Sequence, residues 1–285
     1  MTQHEMIFTV AAGVATDRGR RRQSNEDGYL ASAPVFLVAD GMGGHVGGAA
    51  ASRAVVAAFV DSIAGTWVTP AGLDEAVARA AREVSALPAS ARSAPGSTVT
   101  GVGMAEQNGT PCWLVFNIGD SRTYRLSDGE LEQVTIDHSL VQQLLDHGAI
   151  DAVEARSHGE RNVITRALGA GMSTRPAVDQ WLLVAAPGDR ILICSDGLHG
   201  ELTDQLIAAT LLSVPEPVAA ARSLVAAAIE AGGRDNVTAI VVDAIEVVAA
   251  PRESTPAADP DDVMDLDGPT LPRTMRVPEP LAESE

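Results

Sequence analysis

An α+β fold with antiparallel strand pairing is what this sequence predicts. Two turn signals and two helical stripes carry the prediction. Asn108-Gly109 separates an apolar run that starts at Thr98 from a second run over residues 112–118. Asp128-Gly129 separates residues 123–126 from residues 131–134. Both dipeptides suit hairpin turns with positive φ. Val55, Val56, Phe59, Val60 and Ile63 form one helical stripe, and Leu224, Val225, Ala228 and Ile229 form another. The middle of the chain therefore reads as an antiparallel meander, not as βαβ crossovers. No internal repeat is visible.

Taken in chain order, the apolar runs stop at acids. Residues 36–38 precede Asp40, residues 113–118 precede Asp120, and residues 191–194 precede Asp196. Gly232-Gly233 stops the second helix, and Arg234-Asp235-Asn236 leads into a strand over residues 239–242. A strand that stops at an aspartate holds a carboxylate at a sheet end on rigid backbone. Several such ends brought together make an all-oxygen site, which suits hard cations such as Mg²⁺ or Mn²⁺. That pattern points to hydrolysis by metal-bound water.

Composition narrows the class. The 285 residues, 46% hydrophobic and 20% charged, suffice for one large domain or two small ones. A net charge of −18 disfavours nucleic acid and anionic membrane as partners. All 20 basic residues are arginine. Cys112 and Cys194 lie inside apolar runs and read as buried thiols in a reducing, cytoplasmic compartment. The N-terminus lacks a signal-peptide pattern, and no apolar stretch is long enough to span a membrane. From Ala249 to Glu285 the chain carries seven prolines, nine acids and three arginines. Such a segment cannot offset its ordering entropy and is expected to be disordered. The expected folded domain is residues 5–246, followed by an acidic, proline-rich tail over residues 249–285.

In order along the chain stand Arg22 to Asp27, Ala39 to His45, Gly96 to Thr100, Asn117 to Tyr124, Asp137-His138-Ser139, Val163 to Gly169, Cys194 to Leu198, and Gly233 to Thr238. Together these eight stretches resemble the PPM family of metal-dependent protein phosphatases, the type-2C serine/threonine phosphatases of bacterial type. The resemblance implies two packed antiparallel β-sheets flanked by helix pairs, a four-layer sandwich with a metal centre in a channel at one edge. It implies Mn²⁺ or Mg²⁺ as cofactor, as two ions and a weaker third.

The same resemblance assigns roles. Asp40 is the expected bridge between two metals, with a strand-end turn as the alternative. Gly41 is expected to lend a backbone carbonyl. Asp196 and Asp235 resemble direct ligands, the alternatives being a turn and a helix cap. Glu26 resembles the acid that holds a metal through water, and Asp27 one that orients a ligand or ties down backbone. Arg22 matches the substrate-phosphate clamp, although Arg18, Arg20 and Arg21 crowd the signal. Asp120 resembles the ligand of the third ion, and could instead close a tight turn with Ser121 and Arg122. His45 stands between an acid near the metals and a histidine bonded to backbone. His138 likewise stands between an acid near the metals and a structural place at a helix start. His199 departs from the threonine or tryptophan common at its position, next to the metals but on no ligand. Residues 148–161 resemble the mobile flap beside the active site, or are a plain surface loop.

The function so implied is hydrolysis of phosphoserine and phosphothreonine in proteins by metal-bound hydroxide, without a covalent enzyme intermediate, reversing serine/threonine kinase signalling. The expected partners are phosphorylated proteins, either kinases or their targets. A stress-signalling switch protein is an alternative substrate, and a non-catalytic binding protein is the rival class. Thr270 and Thr274 in the tail stand as phosphorylation sites that a forkhead-associated adaptor would read, or as incidental threonines.

Overall fold

The structure, a computed structural model, describes residues 6–44, 47–89, 94–172 and 176–250. In chain order its elements begin with β1 (Ile7–Asp17), β2 (Gly28–Ser32), β3 (Val35–Ala39) and β4 (Gly41–Met42). Two helices follow, α1 (Gly47–Ser62) and α2 (Pro70–Ser85). The strands β5 (Gly96–Ser97), β6 (Val99–Gln107), β7 (Thr110–Ile118), β8 (Arg122–Ser127) and β9 (Glu130–Gln133) come next. After α3 (Leu140–Asp146) and α4 (Ala152–Ser157) come β10 (Leu168–Gly169), β11 (Asp179–Val184) and β12 (Arg190–Cys194). The last elements are α5 (Asp196–His199), α6 (Asp204–Ser213), α7 (Pro217–Ala231) and β13 (Val237–Val248).

Ten strands form two five-stranded antiparallel sheets, in the orders β1-β13-β12-β8-β9 and β11-β7-β6-β3-β2, and the short strands β10, β5 and β4 form a small third sheet. Between them lies an apolar layer that includes Phe36, Val38, Trp113 and Val115 from one sheet and Ile191, Ile193, Ile240 and Val242 from the other. The opposite faces of the same strands pack under helices. Leu37, Leu114 and Phe116 meet α1 and α2, while Leu192, Cys194 and Val241 meet α6 and α7. A central strand is thus apolar on both faces, which is why β3 and β12 read as unbroken hydrophobic runs. The result is the expected four-layer α/β/β/α sandwich.

Both hairpins form as the turn chemistry requires. Asn108 and Gly109 have φ of 51° and 77°, and Asp128 and Gly129 have 53° and 82°. The meander, however, does not stay in one sheet. β6–β7 belongs to one sheet and β8–β9 to the other, so the chain crosses between them at Gly119–Asp120–Ser121. Within α1 the buried face is Ala51, Val55, Ala58 and Phe59, and Val60 of the expected stripe is 54% exposed. Small alanines let the helix sit close to the sheet, which moves the face by one residue. The expected domain end at 246 falls inside β13, which runs on to Val248. Thr270, Thr274 and the rest of the tail lie outside the described residues. No helix among the described residues is long and apolar enough to cross a membrane.

Candidate active site

Strand register gathers the acidic motifs at one end of the sandwich. Cys194 at the end of β12 pairs with Ala239 near the start of β13, and with Arg122 at the start of β8. Asp17 at the end of β1 pairs with Val237. In the second sheet, Ala39 at the end of β3 pairs with Gly28, and Ile118 pairs with Val99. The loops carrying Glu26-Asp27, Asp40, Asp120, Asp196 and Asp235 therefore leave the two sheets on the same side. Local patterning placed Asp40, Asp120 and Asp196 after strands and Asp235 before one, and the antiparallel pairing brings those ends together with Glu26-Asp27.

Side chains then pin each loop. The Asp40 N–H donates to Thr98 Oγ1 at 3.0 Å, and the Asp40 carbonyl accepts from Thr98 N at 2.9 Å and Ser97 Oγ at 3.0 Å. Thr98 Oγ1 also meets Ser121 Oγ at 2.8 Å, which joins the Asp40 turn to the Asp120 turn. Asp27 accepts at Oδ2 from Thr238 Oγ1 at 2.6 Å and from Ser195 Oγ at 2.9 Å. These bonds tie Asp27 to the end of the strand before Asp196 and to the strand after Asp235. Arg122 grips Asp137 with two nitrogens, at 2.9 and 2.7 Å.

Asn236 is a buried hub that sequence reasoning passed over. Its Nδ2 donates to the carbonyls of Arg18 and Ser24, both at 2.9 Å, and its Oδ1 accepts from Glu26 N at 2.9 Å. The loop with Arg22 is thereby fastened to the loop with Asp235. Arg22 itself pairs with Asp235 Oδ2 at 2.5 Å and remains half-exposed. The only hint of these roles was a polar residue next to each acidic motif.

Gly41 is required by packing. A Cβ there would stand 2.2 Å from the carbonyl oxygen of Gly48 and 2.6 Å from that of Glu26. A Cβ on Gly48 would meet Glu26 Oε2 at 2.0 Å. The first turn of α1 thus presses on both Gly41 and the buried Glu26. Cys194 is fully buried in β12, and burial pushes its thiol far above the ordinary range, as expected for a structural thiol.

The electrostatics are those of crowded acids. Burial, then the neighbouring carboxylates Asp27, Asp196, Asp120 and Asp235, hold Asp40 well above the usual range. Asp120 is raised by burial and next by Asp196. Burial and then Asp235 push Asp196 to about 6, against the pull of Arg22. Asp27 is pushed to about 7 by burial, against the pull of its two hydroxyl donors. Among the described residues, Asp27 Oδ1 and Asp196 Oδ1 are buried oxygens with no hydrogen-bond partner. As the side chains stand, no three His, Cys, Asp or Glu of the described residues already form a metal-holding group. The donor chemistry nonetheless fits hard cations: mutually repelling, oxygen-only, with buried oxygens left unpaired.

A cavity of about 690 Å³ adjoins this cluster. Asp120, Asp196 and His199 line one side, and Arg156, Arg161 and Arg234 are also on its wall. The expected flap is not a bare loop. Asp151 caps α4 through a capping box with Glu154. Ser139 caps α3, which explains the structural place of His138 before it. His199 is not clear of the acids: its Nε2 lies 2.9 Å from the Asp120 carbonyl oxygen. His45 lies outside the described residues.

The family model for protein phosphatase 2C matches residues 16–227. The chain is 41% identical over 255 residues to the serine/threonine protein phosphatase PstP of Mycobacterium tuberculosis, covering 86% of this chain and 47% of the relative. It thus spans about half the length of that relative. It is 32% identical over 241 residues to the serine/threonine phosphatase stp of Listeria monocytogenes, covering 80% of this chain and 93% of the relative. A crystal structure of the M. tuberculosis phosphatase PstP/Ppp matches with a TM-score of 0.74 and 36% identity, over 84% of this chain and all of that one. The PstP catalytic domain in complex with two manganese ions matches with a TM-score of 0.72 at 36% identity, over the same shares.

Proposed function

The chain belongs to the protein phosphatase 2C family, and on that premise we propose that it hydrolyses phosphoserine and phosphothreonine esters in proteins, dependent on Mn²⁺ or Mg²⁺. The observation that carries this reading is the convergence of five acidic loops at one end of the sandwich, with an arginine on the rim. Asp40 would bridge two ions, with Asp196 and Asp235 as further carboxylate ligands. Glu26 and the Gly41 carbonyl would complete the set, and Asp120 would serve a weaker third ion together with the Asp196 loop. Asp27 would keep the Asp196 and Asp235 loops in register through its two hydroxyl partners.

When bound, the ions would acidify a water and offset charge on the phosphoryl oxygens. The chain's own residues do the rest. Arg22 is half-exposed and, among the described residues, bonded to Asp235, so its guanidinium can exchange a carboxylate for two phosphate oxygens. Asn236 keeps that arginine's loop in place. The cavity beside Asp120 and Asp196 leaves room for the protein segment around the phosphoresidue. The catalytic domain would be residues 5–246, completed by the last two residues of β13, with residues 249–285 as an acidic tail. Substrates would be phosphorylated kinases or their targets in the cytoplasm, with a forkhead-associated adaptor reading phosphorylated Thr270 or Thr274.

The test is turnover of a chromogenic aryl phosphate by the full chain with Mn²⁺ and with EDTA. Activity should require the metal and be lost in Asp40→Asn. Arg22→Ala should weaken inhibition by inorganic phosphate about tenfold or more while Mn²⁺ binding holds. Full activity of Asp40→Asn in excess Mn²⁺ would refute the reading.

A further inference from the structure

We infer that His199 is a positioning residue whose hydrogen bond to the Asp120 backbone sets how tightly a divalent cation binds between the Asp120 and Asp196 loops, an inference that rests on the metal-dependent reading above. His199 closes α5, the single helical turn that begins with Asp196. Its Nε2 stands 2.9 Å from the Asp120 carbonyl oxygen. A carbonyl only accepts, so Nε2 is the donor. The bond joins a residue of the β12–α6 connection to a residue of the β7–β8 crossing, 79 positions apart in sequence.

The other side of the Asp120 turn is held separately. Gly119 N–H donates to His138 Nδ1 at 3.0 Å, and the Gly119 carbonyl accepts from His138 N at 2.8 Å. With Nδ1 accepting, His138 Nε2 faces Asp179 Oδ2 at 3.3 Å, and Asp179 pairs with Arg166 at 2.6 Å. These bonds fix the turn to the β9–α3 connection and β11. They do not link it to Asp196. Strand pairing at Cys194–Arg122 holds the two segments together up to the sheet end, and His199 adds the link beyond it, lining the same cavity as both carboxylates.

The link matters because the two acids repel. Of the charged neighbours acting on Asp120, Asp196 acts most strongly. Two carboxylates on separate strand ends move apart unless backbone or cation holds them. A tether between their loops keeps the spacing before a cation arrives, so less is lost in ordering on binding. The bond ends on Asp120, which would serve the weaker cation alone, so His199 governs that cation more than the ions at Asp40.

The experiment uses the full chain and Mn²⁺ alone as the probe. Isothermal titration calorimetry and the Mn²⁺ dependence of aryl phosphate turnover are compared in the wild type, His199→Leu and His199→Gln, whose amide nitrogen reaches about as far as Nε2. The wild type should show a tight and a weaker class of sites. His199→Leu should weaken the weaker class about tenfold, leave the tight class unchanged, and regain its kcat at excess Mn²⁺. His199→Gln should restore the weaker class. Where the leucine variant does not fold, His199→Asn, whose amide stops short of the carbonyl, takes its place. A single class of sites in the wild type, an unchanged weaker class in a folded His199→Leu, or equal weakening of both classes would overturn the inference. Mn²⁺ binding without turnover would overturn the phosphatase reading instead, and calorimetry alone would then decide His199.

Discussion

Replacing Asn236 with alanine removes one amide that serves three backbone groups. The Glu26 N–H loses its acceptor, and the Arg18 and Ser24 carbonyls lose their donor. Asn236 is only 4% exposed and Glu26 7%, so removing this buried acceptor from the Glu26 N–H costs about 1–3 kcal/mol. Arg18 and Ser24 lie nearer the surface, and water recovers part of their loss, leaving about 0.5–1 kcal/mol each. The expected destabilisation is about 2–5 kcal/mol. Urea unfolding followed by far-ultraviolet circular dichroism should show it as a midpoint lower by about 1 M, for a slope of about 3 kcal/mol per M. Because the loop between Arg18 and Ser24 also carries Arg22, inhibition by inorganic phosphate should weaken in the same variant. A loss under about 1 kcal/mol together with unchanged phosphate inhibition would refute the reasoning. The contacts would then be geometric neighbours without energetic weight.

Two further expectations follow from close packing and from charge. In Gly197→Ala the new Cβ would meet the Asn236 carbonyl oxygen at 2.0 Å. Backbone must move, at a cost of about 1–3 kcal/mol, and the Asp196 turn shifts away from Asp235. Thermal unfolding should fall and Mn²⁺ affinity with it, and a variant with wild-type values of both would contradict the packing argument. Asp179 lies at about 2: burial alone would raise it, but the His138 and Arg166 bonds hold it down. A depressed folded value means stability that is complete above about pH 4 and lost as pH falls through about 2, amounting to about 1–2 kcal/mol after solvent screening. Asp179→Asn should be destabilised by about that much at pH 6 and match the wild type near pH 2. A gap that stays constant across that range would show that the carboxylate charge is not what counts.

The local chemistry of the sequence determined a good deal. Asn108-Gly109 and Asp128-Gly129 specified hairpins because only residues tolerant of positive φ fit those turns. The apolar runs before Asp40, Asp120 and Asp196 specified strands that end at carboxylates. Gly232 and Gly233 ended α7 where the pattern placed them. These signals are legible because a period, a turn or a cap involves residues a few positions apart.

What the tertiary structure decided concerns residues far apart. The Gly119–Ser121 crossing sends β8 and β9 to the other sheet, and nothing within either hairpin distinguishes that from a continuous meander. Gly41 must be glycine because the first turn of α1 lies against it, a contact made only after the helix docks. Asn236 reaches Arg18 and Ser24 more than 200 residues away, and His199 reaches Asp120 across 79. Such bonds have no period and no composition. One asparagine or histidine looks like any other until the sheets pack, and only then does a single polar atom find the backbone group it holds.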